Sequence, residues 1–355
     1  MLPEIKYLAW ARDRFPRAQW DLASSGVAPV SSLKLSRLEA LADPQGPALF
    51  AREIARRYGV APDHAIAALG GSGGISMVAG ALLNPGDKVL VEEPCYEPLS
   101  EVIRARGAVL QRFNRGLEAR FELRTHDVET VLDPSTKLLV VSNPHNPSGL
   151  CADIHVISEL AALMARNGGW ILVDEVYREL QAPRTTAYGK AENIIVVSSL
   201  TKCFGFGWMR AGWVFAHRAV VAELDRSLTH AVGILPTTVG ALGCAALDCV
   251  DALAEQTSSR VERNRAMVDA FLQTHASVLS WNPPPKGSLF GFVRDLRGGP
   301  VTEMLERGLR DWGVLAVPGA FFGEPSHFRL SWGIETSRLG EALTRLGRAL
   351  KVDPA

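Results

Sequence analysis

The sequence has few cysteines, no excess of charge of either sign and no long run of purely apolar residues. Five cysteines occur among 355 residues, and none stands in a CxxC or Cys/His spacing, so neither a structural metal site nor a disulfide framework is expected. This usage is typical of a reducing compartment, and we predict a cytoplasmic protein. Lys plus Arg and Asp plus Glu both number 38. A chain of zero formal charge has no overall field to draw it onto nucleic acid, so no nucleic-acid partner is expected.

A membrane span and a secretory signal are not expected either. The longest uncharged stretch, residues 231–247, contains Pro236 and many small residues, which favours a buried helix. The first ten residues include Glu4 and Lys6 and lack the apolar segment of a signal peptide.

What the sequence does contain is an alternation of short apolar runs and longer helical patterns. Hydrophobic residues make up 47% and charged residues 21%, and the length fits two packed domains. Helical spacing is present in Glu97–Arg106 and Ile154–Asn167. The predicted strands are Lys88–Glu92, Lys137–Ser142, Trp170–Asp174, Ile194–Ser198 and Ala211–Ala216. Near-continuous apolar strands that alternate with helices predict an α/β fold whose mostly parallel, doubly wound sheet is buried on both faces.

The tail of the chain has a different pattern. We predict helices over Ala245–His275, Val301–Trp312 and Thr336–Leu350, and strands over Val314–Val317 and Phe328–Trp332. The first 35 or so residues lack regular periodicity, and we expect them to pack on the tail. The predicted organisation is a large domain of residues 36–245 and a smaller α+β domain of residues 1–35 and 246–355.

Lys202 is the first candidate for chemistry. It follows a predicted strand and is flanked by Phe204 and Phe206. Burial would lower the pKa of its amine and free the amine as a nucleophile toward a carbonyl group. A lysine of this kind, taken alone, more often extends from a loop to solvent.

Other polar residues stand at comparable places along the chain. Asp174 ends the predicted strand WILVD, Asn146 lies between two prolines after another strand, and Arg210 lies eight residues beyond Lys202. Ligands of α/β proteins bind at the carboxyl ends of parallel strands, and a guanidinium near an amine suits a phosphorylated carbonyl compound. Taken alone, Asp174 is better explained as a helix N-cap. Asn146 alone could simply belong to a tight loop.

A glycine-rich segment, LGGSGGISM at residues 69–77, precedes a helical pattern. Backbone N–H groups at Gly70, Gly71, Gly73 and Gly74 could bind a phosphate at the N-terminus of that helix. The segment has Ser76 at the third glycine position of the dinucleotide fingerprint and lacks the lysine of a P-loop. A nicotinamide oxidoreductase is therefore not favoured.

Five motifs occur in a fixed order: NPHNPSG, DEVY, SSLTKCFGFGWMRAG, VPGAFFG and FRLSW. In this combination the chain resembles the fold-type I pyridoxal phosphate (PLP) enzymes of the class I/II aminotransferase family, over roughly Asp43 to Trp332. The resemblance implies a three-layer large domain with a mostly parallel sheet, a smaller α+β domain, PLP as cofactor and a homodimer. It also implies transfer of an amino group between an amino acid and a 2-oxo acid.

The resemblance implies a role for each motif residue. Lys202 would be covalently joined to the cofactor aldehyde and would carry the catalytic proton, and Asp174 would pair with the ring nitrogen. Tyr177 and Asn146 would bond the phenolic oxygen. Tyr96 would stack on the ring. The phosphate would be held by Gly71, Ser72, Gly73, Ser199 and Arg210. The substrate carboxylate would be bound by Arg329, with Gly26 and Asn146 nearby.

Some features depart from the family or leave its chemistry open. Many members have a tyrosine, which reaches the phosphate of the partner subunit, where this chain has Leu41, so that contact should be absent or replaced. The short early region is similar to members that carry out other PLP reactions, so a decarboxylase, lyase or cyclase is the alternative to an aminotransferase. Cis peptide bonds are implied at Glu93–Pro94 and Asn146–Pro147. The side chain of the substrate stays open.

Overall fold

The structure is a computed structural model that describes residues 4–30 and 41–351. Its larger part is an α/β unit. In chain order the elements up to Leu247 are α1 (Lys6–Arg14), β1 (Trp20–Asp21), α2 (Gly46–Tyr58), β2 (Ala65–Leu69), α3 (Gly70–Leu82), β3 (Lys88–Glu93), α4 (Glu97–Arg104), β4 (Val109–Asn114), α5 (Thr125–Glu129), β5 (Thr136–Ser142), α6 (Ile154–Ala165), β6 (Trp170–Asp174), β7 (Ile194–Ser199), β8 (Ala211–Phe215), α7 (Arg218–Val232) and α8 (Thr237–Leu247).

Seven of these strands form one sheet in the order β2-β8-β7-β6-β5-β3-β4. All neighbours are parallel except β8, which runs antiparallel to both β2 and β7. Helix α3 packs on β7 and β8, while α6 packs on β5 and β6. The central strands are apolar on both faces because helices cover both faces. The predicted α/β class is confirmed.

The rest of the chain builds a second group of strands and helices. Its elements are α9 (Val250–Thr274), β9 (Leu279–Trp281), β10 (Phe290–Asp295), α10 (Thr302–Trp312), β11 (Val314–Leu315), β12 (Val317–Pro318), β13 (His327–Ser331) and α11 (Thr336–Lys351). Four strands pair antiparallel in the order β12-β13-β10-β9. Strand β1 pairs with β11, so the N-terminal segment packs on the tail as expected.

The structure corrects two helix predictions. The N-terminal segment contains α1, which the periodicity did not indicate. Contacts with distant residues explain this helix, because Glu97 accepts the backbone N–H of Tyr7 (2.6 Å) and Glu306 accepts Nε1–H of Trp10 (3.0 Å). The helix predicted from Ala245 is two helices, since α8 ends at Leu247 and α9 starts at Val250 with a bend of 67° between them.

The small residues of α8 explain why it forms a helix separate from α9. Gly240 lies so close to Gly46 of α2 that a β-carbon would not fit between them. The predicted domain boundary at 245/246 falls inside α8, and the one at 35/36 lies outside the described residues; the division into two domains stays a prediction. Within residues 4–30 and 41–351, no single helix is long and apolar enough to cross a membrane, and only the bent pair α8–α9 together reaches that length and composition.

The structure also corrects one of the implied cis peptide bonds. Glu93–Pro94 is cis, as expected. The second cis bond precedes Pro144, in Asn143–Pro144, whereas Asn146–Pro147 is not cis. Both bonds are X–Pro bonds, which tolerate either isomer, so the residues of the motif alone do not decide between them.

Candidate active site

The carboxyl ends of three adjacent parallel strands define the candidate active site. Strand β5 ends at Ser142, β6 at Asp174 and β7 at Ser199. Ser142 is in register with Asp174, and Asp174 with Val197. The sheet therefore brings together side chains that are far apart in sequence, at the edge where parallel sheets bind ligands.

Asp174 is a buried carboxylate at the end of β6. Its Oδ1 accepts the backbone N–H of Val176 at 3.1 Å. Burial raises the pKa of Asp174 to about 6, although that hydrogen bond and the charge of Lys202 oppose the rise. Asp174 forms no ion pair within 4.0 Å among the described residues. A buried carboxyl without a cation suits a protonated ring nitrogen.

Lys202 lies just beyond β7, with its amine directed into the same region. Nζ donates a hydrogen bond to Oγ of Ser25 at 3.1 Å and lies 5.9 Å from the centre of the Tyr177 ring. Burial lowers the pKa of the Lys202 amine to about 8, helped by the charges of Arg329 and Arg210. Part of the amine population is therefore neutral near physiological pH, as a nucleophile or proton acceptor requires.

Tyr177 is buried and shares a hydrogen-bond partner with Lys202. Its hydroxyl donates to Oγ of Ser25 at 2.8 Å, and its ring packs edge-on against Phe290. Burial raises the pKa of the Tyr177 hydroxyl, so the group stays protonated and able to donate.

The N-terminus of α3 was predicted to bind a phosphate. Gly71, Ser72 and Gly73 lie in its first turn, and no side chain among the described residues caps that end of the helix. The uncapped N–H groups and the helix dipole favour an anion there. Ser199 ends β7, in register with Gly212 of β8, and its hydroxyl bonds that of Thr201 at 2.7 Å.

Arg210 lies against the start of α3. A β-carbon placed on Gly70 would be 2.6 Å from Nη2 of Arg210, so the guanidinium passes directly over the Gly70 backbone. Arg210 has a positive φ of 53°, a conformation that costs a non-glycine residue about 1–2 kcal/mol. Strain of this kind at the start of the α3 anion site indicates a functional constraint on Arg210.

Arg329 in β13 is fully buried, and all its hydrogen-bond partners among the described residues are neutral groups. Nη1 donates to Oδ1 of Asn146 at 2.8 Å, and Nη2 donates to the carbonyl of Ala23 at 2.8 Å and to the hydroxyl of Tyr7 at 3.1 Å. Its Nε finds no hydrogen-bond partner among the described residues. A buried guanidinium without a carboxylate is suited to a carboxylate supplied by a ligand.

Tyr96 and Gly26 complete the predicted set. Tyr96 precedes α4, and its ring meets that of Tyr7 edge-on at 5.5 Å. Gly26 lies against Lys202, since a β-carbon on Gly26 would be 3.4 Å from the Lys202 carbonyl oxygen. Both residues therefore border the region that contains Lys202 and Arg329.

A cleft of about 270 Å³ opens beside Lys202. Its lining includes Tyr7 and Ser25, neither of which was among the predicted site residues. Ser25 directly precedes Gly26, which the family resemblance places near the substrate carboxylate, so its position beside Gly26 is a usable signal. No sequence signal marks Tyr7, which reaches Arg329 across 322 positions.

These residues fit pyridoxal phosphate by several independent observations. The unpaired Asp174 suits the ring nitrogen, and the uncapped α3 with Arg210 suits the phosphate. The Lys202 amine, with its lowered pKa, suits covalent attachment to an aldehyde. No group of three metal-ligating side chains occurs among the described residues.

Comparisons with known proteins agree with this geometry. The family Aminotransferase class I and II matches residues 29–346. Capreomycidine synthase of Streptomyces vinaceus is 28% identical over 98% of this chain and 94% of that protein. Aspartate aminotransferase of Streptomyces avermitilis is 26% identical over 82% of this chain and 76% of that protein.

A solved structure shows the same fold. A PLP-dependent aminotransferase from Streptococcus suis superposes with a TM-score of 0.88, at 24% identity, over 100% of this chain and 99% of that one. Because the family match covers most of the sequence, this chain belongs to the aminotransferase class I and II family and is a PLP-dependent aminotransferase.

Proposed function

We propose that this enzyme moves the amino group of an α-amino acid to a 2-oxo acid with Lys202, Asp174 and Arg329 as its central groups. The observation that carries the proposal is the position of the Lys202 amine. The amine lies in a cleft and has a pKa lowered to about 8, and the charges of Asp174 and Arg329 act on it. Neither Asp174 nor Arg329 forms an ion pair among the described residues. The two flanking charges are opposite, as an amino acid attached to a cationic ring requires.

Each protein group has a distinct task in this proposal. Bound PLP supplies an aldehyde for the amino group and a ring that accepts the electron pair left when the Cα–H bond breaks. Asp174 would pair with the protonated ring nitrogen. Lys202 would accept the proton from Cα and later donate it, and its lowered pKa places the amine near the operating pH. Tyr177 and Asn146 bond the phenolic oxygen.

Substrate and cofactor are held by separate groups. Arg329 binds the α-carboxylate in a bidentate pair, with Gly26 and Asn146 beside it. The phosphate is bound by Gly71, Ser72, Gly73, Ser199 and Arg210. Tyr96 stacks on the ring.

The decisive experiment compares Lys202→Ala with Lys190→Ala, which removes an exposed lysine. Purified protein loaded with PLP is supplied with a panel of amino acids and one 2-oxo acid, and product amino acid is quantified. We expect Lys202→Ala to lose at least a thousandfold in rate, because general acid–base transfer alone contributes about 10²–10⁴-fold. Lys190→Ala should retain the wild-type rate. Equal rates for wild type and Lys202→Ala would refute the assignment.

Cyclisation of the substrate is the second candidate reaction. Capreomycidine synthase matches nearly the whole chain, whereas the aspartate aminotransferase of Streptomyces avermitilis matches 82% of it. The two reactions differ in their products. With an amino donor and no acceptor, an aminotransferase releases one 2-oxo acid per site. A cyclase releases an isomer or dehydration product of its substrate over many turnovers and no 2-oxo acid.

A homodimer and a cytoplasmic location belong to the same proposal. Ser72 and Arg210, on the phosphate side, are exposed in the single chain, as is Trp208 at 52%. A second copy packed there would close the phosphate side, where Leu41 provides no hydroxyl. All five cysteines are free thiols, in keeping with a reducing compartment.

A further inference from the structure

Ser25 is a buried hydroxyl in the active site to which the proposed chemistry gives no task. It is 5% exposed and follows β1 in the segment that lines the cleft. Its Oγ accepts hydrogen bonds from Lys202 Nζ at 3.1 Å and from the Tyr177 hydroxyl at 2.8 Å. One serine oxygen thus connects two groups that are both proposed to act on the cofactor.

Backbone hydrogen bonds hold the chain in place both before and after Ser25. Before it, Leu22 donates its N–H to the carbonyl of Leu315 at 2.8 Å. After it, Val27 donates its N–H to the carbonyl of Lys202 itself at 2.9 Å. The Ser25 hydroxyl is therefore held at a set distance from the backbone of the lysine whose amine it binds.

Ser25 also provides the hydrogen-bond acceptor of the Lys202 amine. Among the described residues, the Lys202 amine has no carboxylate within 4.0 Å and no hydrogen-bond acceptor other than Ser25 Oγ. A serine oxygen has two lone pairs, so it can accept from Lys202 and Tyr177 at the same time. Without this acceptor, the amine would be buried and unpaired, which is costly for its charged form.

We infer that Ser25 is a positioning residue that holds the uncombined Lys202 amine beside Tyr177, at the place from which the amine works. The inference rests on the proposed role of Lys202. With PLP bound, Lys202 would be freed when the amino acid joins the cofactor, and its amine would then have to stay within reach of the substrate Cα. The hydrogen bond to Ser25 restricts the released amine to that region.

The test uses Ser25→Ala, the conservative Ser25→Thr and a control, Ser158→Ala. Ser158 is a half-buried serine of α6 whose hydroxyl bonds the carbonyl of Ile154 at 3.0 Å. In the cofactor-free protein, acetylation of Lys202 by acetic anhydride is followed against pH by peptide mass spectrometry. The wild-type midpoint should lie near pH 8. Ser25→Ala should shift it to lower pH, because the lost acceptor favoured the ammonium form. Ser25→Thr and Ser158→Ala should keep the wild-type midpoint.

Kinetics of the PLP-loaded enzyme give a second measurement. We expect Ser25→Ala to lower kcat roughly tenfold with KM for the amino donor within about twofold, since the serine acts after binding. Ser25→Thr should recover most of the loss. If Ser25→Ala does not fold, Ser25→Cys, which has similar size but only a weak acceptor, should change both quantities in the same direction.

Two outcomes overturn the inference. One is an unchanged acetylation midpoint in Ser25→Ala; the other is a loss of kcat that Ser25→Thr does not rescue. Failure of the proposed function would appear differently, as wild-type protein that transfers no amino group although its Lys202 midpoint still depends on Ser25.

Discussion

At the scale of single residues, the site contains two buried charges that lower the stability of the cofactor-free protein. Burial raises the pKa of Asp174 from 3.8 to about 6 and lowers that of Lys202 from 10.5 to about 8. Between pH 6 and 8 both groups are charged in the folded protein, and burial opposes both charges. The cofactor-free protein therefore carries a stability cost for groups that become useful once PLP is bound.

Replacing Lys202 by methionine should stabilise the cofactor-free protein. The unfolded chain binds the lysine proton more tightly than the folded one. The loss of folding stability caused by Lys202 is therefore fully present below pH 8 and disappears as the pH rises from 8 to 10.5. A shift of this size corresponds to about 3 kcal/mol, and the partial exposure of Lys202 to the cleft reduces the expected gain to about 1–2 kcal/mol at pH 7. Urea unfolding at pH 7 and pH 10.5 measures it.

The matched control for this prediction is Lys190→Met, at an exposed position. It should show no gain that depends on pH. A Lys202→Met protein with wild-type stability at pH 7, or with a gain that grows toward pH 10.5, would contradict the assigned direction of the pKa shift.

Arg329→Lys should weaken substrate binding while leaving PLP binding intact. Lysine keeps the charge but loses the planar pair of donors that a carboxylate accepts, so kcat/KM should fall about 100-fold, mainly through KM. Steady-state kinetics measure this, and PLP absorbance titration checks the cofactor. Arg345→Lys is the control, since Arg345 bonds Glu341 and the carbonyl of Trp312 outside the site. An unchanged KM would remove Arg329 from substrate recognition.

At the scale of elements, the proposed phosphate site depends on how closely α3 approaches β8. Gly212 of β8 lies against the backbone of Gly70, and a β-carbon there would be 2.7 Å from the Gly70 carbonyl carbon. Gly70 has φ of 69°, which glycine adopts without strain. The contact therefore needs glycine at both positions, and it brings the N-terminus of α3 under Arg210.

Gly70→Ala and Gly59→Ala separate backbone strain from the phosphate site. Both glycines have positive φ, 69° and 66°, but a β-carbon at Gly70 would meet Arg210 whereas one at Gly59 would meet nothing within 4 Å. Each alanine should cost about 1–2 kcal/mol of stability. Only Gly70→Ala should also weaken PLP affinity, by tenfold or more, because Arg210 must move. Equal PLP affinity for both variants, measured by absorbance titration, would contradict this.

Elements buried on both faces could be predicted from the sequence, and elements held by distant contacts could not. Strands β3, β5, β6, β7 and β8 were predicted to within one residue at each end, because continuous apolar runs identify them. Strand β4 was missed because it lies at the edge of the sheet and carries polar residues. Helix α1 depends on Glu97 and Glu306, which lie 90 or more positions away.

In the candidate site, too, some residues could be predicted from local sequence motifs and others depend on distant contacts. Asp174, Lys202 and Arg210 belong to contiguous motifs, and they lie where parallel strands end. Ser25 reaches Lys202 across 177 positions, so its contact depends on the tertiary fold and not on any local pattern. Sequence patterns report local periodicity and spacing, whereas this hydrogen bond exists only after the N-terminal segment has packed against the sheet.

At the scale of the whole molecule, the two ends of the chain meet in the site. Tyr7 of α1 bonds Arg329 of β13, and Ser331 donates its N–H to the carbonyl of Leu22 at 2.9 Å. Arg329, which we propose to bind the substrate, is therefore positioned by the N-terminal segment, the tail and the end of β5 through Asn146. Under this proposal, substrate recognition requires all three parts of the chain to be folded together.

An apolar surface between α7 and α8 is the best place to test the proposed homodimer. Ile234 is 83% exposed and Val232 is 46% exposed, beside a groove of about 620 Å³ that α2 also lines. Burying a side chain of this size contributes about 1.5–3 kcal/mol. In a symmetric dimer each substitution acts twice, so Ile234→Asp should raise the dimer dissociation constant by at least 100-fold.

Sedimentation velocity over a range of concentrations measures this effect, with circular dichroism to confirm an unchanged fold. Val131→Asp is the control, because Val131 is 45% exposed but follows α5, away from this surface. We expect Val131→Asp to sediment like the wild type and Ile234→Asp to dissociate and lose PLP affinity, since the exposed Ser72 and Arg210 would again face solvent. A wild-type protein that is fully active as a monomer would contradict the dimer, and an Ile234→Asp protein that remains dimeric would place the interface elsewhere.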